Sequence, residues 1–138
     1  MKKEQKELLL KDLSARLPYG VKLGFYASAT KQTYICTLLG LEPQEDEPVI
    51  AKTENGSFYM LAGHVKPYLF PLSSMTEEQH KEFYDKYCWN DGGDNFEIDS
   101  CSHFYALEKF EWLDKNHFDY RGLIPMGLAI DATNLNIY

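Results

Sequence analysis

The sequence predicts an α+β fold, and three observations carry the prediction. An amphipathic helical stretch opens the chain, strand-like segments separated by turn residues fill its middle, and helical periodicity returns after residue 76. Strands and helices segregated in this way build a largely antiparallel sheet covered by helices. A length of 138 residues, 44% hydrophobic and 25% charged, fits one globular domain spanning 1–138.

The first helix is expected over Lys3–Leu17. Leu10, Leu13 and Leu17 recur at i, i+3 and i+7 with Leu9 beside them, and Lys3, Glu4, Glu7, Lys11 and Asp12 are assigned to the outside. Pro18 ends the helix, because the residue before a proline is pushed out of the helical region, and Gly20 allows a turn.

About four antiparallel strands follow as a meander, flat or curled toward a small barrel. Val21, Leu23 and Phe25 alternate with Lys22, Gly24 and Tyr26, the period of a half-buried strand. Residues 33–41 form a more continuously apolar strand, and residues 42–48, with four acids and two prolines, form an exposed loop. Val49–Thr53 and Phe58–Leu61 flank Asn55-Gly56, which predicts a two-residue hairpin turn with positive φ at Gly56. Val65–Leu72 carries Pro67 and Pro71 and is expected to be an extended crossing segment.

Two main helices and a short third one complete the pattern. Thr76 with Gln79 is a capping box for a helix running to about Cys88, with Phe83, Tyr84, Tyr87 and Cys88 on its apolar face and a Glu82–Lys86 pair. After a loop at 90–95, Tyr105–His117 shows two stripes. Ala106, Phe110, Leu113 and His117 line one face, the first expected to meet the sheet, and Tyr105, Lys109, Trp112 and Asn116 line nearly the opposite one. Trp112 is expected to pack under the Asp119–Gly127 corner, the alternative being a solvent-facing patch. Asp119 is placed to cap a short helical turn over Tyr120–Met126, stopped by Gly127. Leu128–Ile130 is a candidate edge strand, and the tail 131–138 is expected to be loose.

Charge and composition restrict the functions available. Fourteen basic and twenty-one acidic residues give −7 and a pI near 5, so phosphate backbones are repelled and direct nucleic-acid binding is not expected. Leu8-Leu9-Leu10 is too short an apolar run for a signal peptide or membrane span, and three cysteines without paired spacing argue against a disulfide framework. The expected setting is cytoplasmic, with no membrane.

No motif assigns a catalytic residue, a cofactor or a metal. The 91–99 loop lacks the spacing of a calcium loop, and Cys88, Cys101, His103 and His117 lack zinc-ligand spacing. His117-Phe118-Asp119 echoes a kinase catalytic loop, but Ile124 stands where that loop requires Asn. Two candidate clusters remain. Tyr105, Trp112, Tyr120 and Arg121 are residue types suited to a contact patch. His117, Asp119 and Arg121 form a polar corner, in which a capping carboxylate and an arginine bridged to another acid would join two elements.

Four segments carry a resemblance. They are Leu13-Ser14-Ala15-Arg16-Leu17-Pro18-Tyr19-Gly20-Val21-Lys22, Lys66-Pro67-Tyr68-Leu69, Ser73-Ser74-Met75-Thr76-Glu77-Glu78 and the run from Trp112 to Ile124. In these the chain resembles a family of small uncharacterised proteins common in gut bacterial genomes, often near prophage or other mobile DNA. The resemblance implies that context and no activity. The preferred reading is a non-enzymatic accessory protein acting through a protein partner. One alternative is a small enzyme using His117, Asp119 and Arg121, with Cys101. Another is a nucleic-acid mimic presenting the acids of the 42–47 and 91–99 loops. A deep pocket at the corner favours the enzyme, and a flat aromatic patch favours the binding module.

Overall fold

Helix α1, Lys3–Arg16, forms where the leucine periodicity places it and buries Leu9 and Leu13 completely. A short turn at Leu17–Tyr19 carries Pro18, and Gly20 reverses the chain at φ 67°. The computed structural model describes residues 1–87 and 106–138. Its strands are β1 (Lys22–Ala27), β2 (Gln32–Leu41), β3 (Val49–Thr53), β4 (Gly56–Met60), β5 (Val65–Pro71), β6 (Phe118–Asp119) and β7 (Ile130–Asp131). Helices α2 (Glu77–Tyr87) and α3 (Ala106–Lys115) lie between β5 and β6.

The meander is present in β1–β4, but the sheet is larger than four strands and mixed. Its order is β4-β3-β2-β1-β5-β6, with β7 also paired to β5, and it is open. Val65–Pro71, expected as a crossing segment, is a strand antiparallel to β1 and parallel to β6 and β7. Its prolines did not prevent this because they sit where ladders stop. Pro67 is the last partner of β1, opposite Leu23, and Pro71 is the last partner of β6, opposite Asp119. Strands β6 and β7 have two residues each, too few for any periodicity to announce them.

The hairpin is shifted by one residue from its predicted position. Glu54 and Asn55 form the turn between paired Thr53 and Gly56, and Gly56 takes the positive φ, 117°. Asn55 itself has no positive φ, so this is not the Asn-Gly turn with positive φ at both central residues, and the ladder runs unbroken to Thr53 and Gly56. Gly24 matters for a different reason. A Cβ built there would lie 2.8 Å from Ile130 Cδ1 and 3.1 Å from the Tyr68 hydroxyl, so a side chain at position 24 would displace the Ile130 tip that packs over β1.

Among the described residues, two apolar clusters organise the interior. Under α1, the covered face of the sheet contributes Leu23, Cys36, Leu38, Val49, Ala51 and Leu69. Between α2 and α3, Phe83, Trp112, Leu113 and Phe118 form the second cluster. The α2 capping box is closed, with Gln79 N donating to Thr76 Oγ1 at 3.1 Å and Thr76 N to Gln79 Oε1 at 2.9 Å. Lys86 meets Glu82 at 3.0 Å on the surface.

Three further expectations are corrected. Asp12, assigned to the solvent face of α1, is fully buried because Arg16, one turn ahead, and the distant Arg121 both bind its carboxylate. Residues 120–126 form turns instead of helix, although Asp119 does bind the backbone there. The tail is fastened as well. Tyr138 stacks on His117 at 3.7 Å between ring centres, and its hydroxyl accepts from Lys22 N and donates to Tyr68 O. No helix among the described residues is long and apolar enough to cross a membrane.

Candidate functional site

The charged corner is built from α1, α3 and the turn after β6. One helical turn separates Asp12 from Arg16, so both project from the same side of α1 into the interior. Arg16 Nε donates to Asp12 Oδ2 at 2.8 Å, while Nη2 donates to Asp12 Oδ1 at 3.1 Å and to the Phe118 carbonyl at 2.6 Å. Arg121 Nη1 donates to the same Asp12 Oδ1 at 2.9 Å and to the Tyr120 hydroxyl at 2.8 Å. Tyr120 in turn donates to Asp114 Oδ1 at 2.7 Å, and Asp114 stands 4.0 Å from Arg16 Nη2. Both guanidinium groups also lie over the Tyr120 ring, at 4.6 Å for Arg121 and 5.4 Å for Arg16.

Two carboxylates thus neutralise two guanidinium groups, as burial demands. Burial raises the Asp114 carboxyl above its ordinary range, and burial with the Asp114 contact raises the Tyr120 hydroxyl and keeps it protonated. The groups are occupied with one another. This geometry locks α1 to the C-terminal segment and holds no poised base or nucleophile.

The other corner residues face different partners. Asp119 accepts from Leu123 N at 3.0 Å and Ile124 N at 2.9 Å, fixing the turn after β6. His117 sits at φ 62°, and its carbonyl accepts from Phe70 N at 2.8 Å, which aligns β6 with β5. Burial, then the nearby Arg16 charge, pushes the His117 imidazole down to about 4. Its Nδ1 and Arg16 Nη1 are buried with no hydrogen-bond partner among the described residues. His117, Asp119 and Arg121 are close in sequence but serve three separate tasks.

The patch expected around Trp112 is not an exposed surface. Trp112 is 9% exposed, stacks on Phe118 with centres 5.8 Å apart, lies 5.3 Å from Phe83 and donates from Nε1 to Glu82 Oε1 at 3.3 Å. It packs against α2 and the start of β6, not under the Asp119–Gly127 corner. Phe110, expected against the sheet, is half-buried and packs on Tyr120 at 5.0 Å. A cleft of about 250 Å³ opens beside it, reaching Asp114, Tyr120 and Arg121. Tyr105, Cys88, Cys101, His103 and the 91–99 loop lie outside the described residues. Cys36 is buried, and burial pushes its thiol up to about 11, so it behaves as a small core residue.

The exposed aromatic surface is elsewhere, at the β4 side of the sheet. Tyr34, Ile35, Phe58 and Tyr59 are 44%, 55%, 47% and 52% exposed. Strand alternation puts Tyr34 and Phe58 on the same face as buried Cys36 and Met60, at the part of that face left uncovered among the described residues. There they line, with Phe25, a cleft of about 720 Å³ whose charged lining residue is Glu54. At the other end of β4, Tyr59 borders a depression of about 520 Å³ formed with Glu42, Glu45, Asp46 and Glu47.

This surface had a signal in the sequence. Tyr34-Ile35 and Phe58-Tyr59 are consecutive apolar pairs in strands, and a strand covered on one face must expose one member of each pair. Comparison with protein-family models, with curated proteins and with solved structures finds no match for the chain.

Proposed function

We propose that this chain is a non-enzymatic protein-interaction module, an accessory of bacterial mobile DNA that engages a protein partner through the aromatic edge at β4. The observation that carries this reading is the cluster of exposed Tyr34, Ile35, Phe58 and Tyr59 around an open apolar cleft. Apolar patches of this kind mark contact surfaces, and aromatic side chains supply much of the energy of protein contacts. The carboxylates of the charged corner, by contrast, are taken up by its own arginines and by Tyr120. The mobile-DNA setting rests on the resemblance of the four segments named above, and a survey of neighbouring genes tests it.

Capture from host lysate by wild-type protein and by Phe58→Lys and Tyr59→Lys variants tests the interaction reading. Both side chains are about half exposed, so the variants keep their fold, which the urea midpoint verifies. A partner retained by wild-type and lost by both variants supports the assignment. Equal capture by all three moves the contact surface elsewhere.

A small enzyme is the second reading, favoured by the 250 Å³ cleft that reaches Asp114, Tyr120 and Arg121. It predicts a small-molecule ligand whose binding is lost in Tyr120→Phe while the fold is retained.

A further inference from the structure

We propose that β4 accepts an extended, cationic peptide segment as an eighth strand of the sheet. The inference rests on the interaction reading above and names the chemistry of its partner. Strand β4 ends the strand order, and its strand neighbour among the described residues is β3. In an antiparallel pair, alternate residues of an outer strand direct their N–H and C=O groups away from the partner strand. A strand of five residues, Gly56–Met60, therefore presents a row of main-chain groups about 17 Å long. The edge lacks the usual protections: it has no proline, no lysine and no inward-pointing charge, and it displays Phe58 and Tyr59 on opposite faces. Main-chain pairing at such an edge supplies affinity, and side-chain pockets beside it supply selectivity.

The charges around the edge decide which segment fits. Residues 42–60 hold five carboxylates against one ammonium, Lys52, a local balance of −4. The carboxylates bracket the strand. Glu54 lines the cleft next to the turn, and Glu42, Glu45, Asp46 and Glu47 surround Tyr59 near the opposite end. A second copy of this chain pairing antiparallel through β4 would bring the Glu54 end of each copy against the acidic loop of the other. That arrangement is repulsive, whereas a basic segment gains at both ends. Its central residues would alternate, one set entering the apolar cleft of Phe25, Tyr34 and Phe58.

Fluorescence anisotropy with the full chain tests this. The probe is a labelled peptide of about nine residues, enough to overrun the strand, with alternating valine and threonine at its centre and two arginines at each end. One control replaces the arginines by glutamates, and another keeps the arginines but places two prolines at the centre. Saturable binding of the first peptide alone is expected, weakened about tenfold by Glu45→Lys with Glu47→Lys and by Phe58→Lys. Equal binding of the proline peptide shows charge attraction without strand pairing and overturns the proposal, as does equal binding of the glutamate peptide or no binding at all. Sedimentation showing a dimer that Phe58→Lys dissolves assigns the edge to a second copy and overturns it too. If the peptides fail while lysate capture still depends on Phe58 and Tyr59, the interaction reading stands without its cationic strand. If capture is insensitive to both, the interaction face itself is wrong.

Discussion

Replacing Asp12 by alanine tests whether the charged corner holds the fold together. The Asp12 side chain is fully buried and receives three N–H donors, two from Arg16 and one from Arg121. Its removal leaves the Arg16 guanidinium, also fully buried, with the Phe118 carbonyl at 2.6 Å and Asp114 at 4.0 Å as its remaining acceptors. Removing one partner of a buried ion pair costs roughly 3–5 kcal/mol, which is a large share of the ~5–15 kcal/mol that holds a domain of this size. With a urea dependence of about 2 kcal/mol per molar, the denaturation midpoint should fall by about 2 M. The double variant Asp12→Leu with Arg16→Met separates charge from packing. It removes both ions, lets the partly exposed Arg121 turn to water, and leaves Asp114, whose burial already favours its protonated form. The double variant should therefore be about 1–2 kcal/mol more stable than Asp12→Ala. A midpoint shift in Asp12→Ala corresponding to less than about 1 kcal/mol would refute the argument. So would a double variant no more stable than the single one.

Four other outcomes follow from single contacts. His117 is neutral in the fold with its imidazole held near 4, while the unfolded chain titrates near its ordinary 6.5. The unfolded state alone therefore takes up the proton as pH falls from 6.5 toward 4, and stability is lost over that window by up to about 3 kcal/mol. His117→Asn, which tolerates the φ of 62°, should flatten this part of the pH profile, and urea midpoints at pH 7 and 4.5 that differ equally in both proteins would contradict it. Gly24→Ala should cost about 1–3 kcal/mol through the 2.8 Å approach to Ile130 Cδ1, and adding Ile130→Val should recover part of that loss in a thermal melt. Gly56→Val places a β-branched residue at φ 117° and should cost on the order of 1–3 kcal/mol, so an unchanged midpoint removes the hairpin assignment. Trp112→Ala should cost about 3–5 kcal/mol by opening a cavity against Phe83 and Phe118, and a loss near zero would contradict its burial.

Local chemistry made half of this fold readable. The leucine spacing of α1, the Thr76–Gln79 box and the strands β1–β4 each depend on residues within a few positions of one another. What the sequence hid depends on distant partners. Pro67 and Pro71 argue against a strand until it is known that each lies at the end of a ladder. Asp12 belongs on the surface by its own polarity and is buried because Arg121, 109 residues away, reaches the same oxygen as Arg16. Trp112 by its residue type suits a contact patch, but Phe83 and Phe118 decide that it is core. The exposed pairs at β2 and β4 were legible as an excess of apolar residues. Their exposure among the described residues is decided by the packing of the folded chain.

The hydrogen bonds from Arg16 to Phe118, from Arg121 to Asp12 and from Lys22 to the Tyr138 hydroxyl span 102, 109 and 116 residues. These distances set an order of events during synthesis. At about 5–20 residues per second, α1 and the first strands wait on the order of 5–20 s before the groups that close the corner are made. The β1–β4 hairpins join sequence neighbours and need not wait, because short loops close cheaply. Until then Arg16 and Asp12 lie in water, where a half-built corner carries no buried charge. We predict that the corner closes late, after the rate-limiting barrier. Damage to it should accelerate unfolding far more than it slows folding, so such variants would reach the native state at normal speed and lose it early.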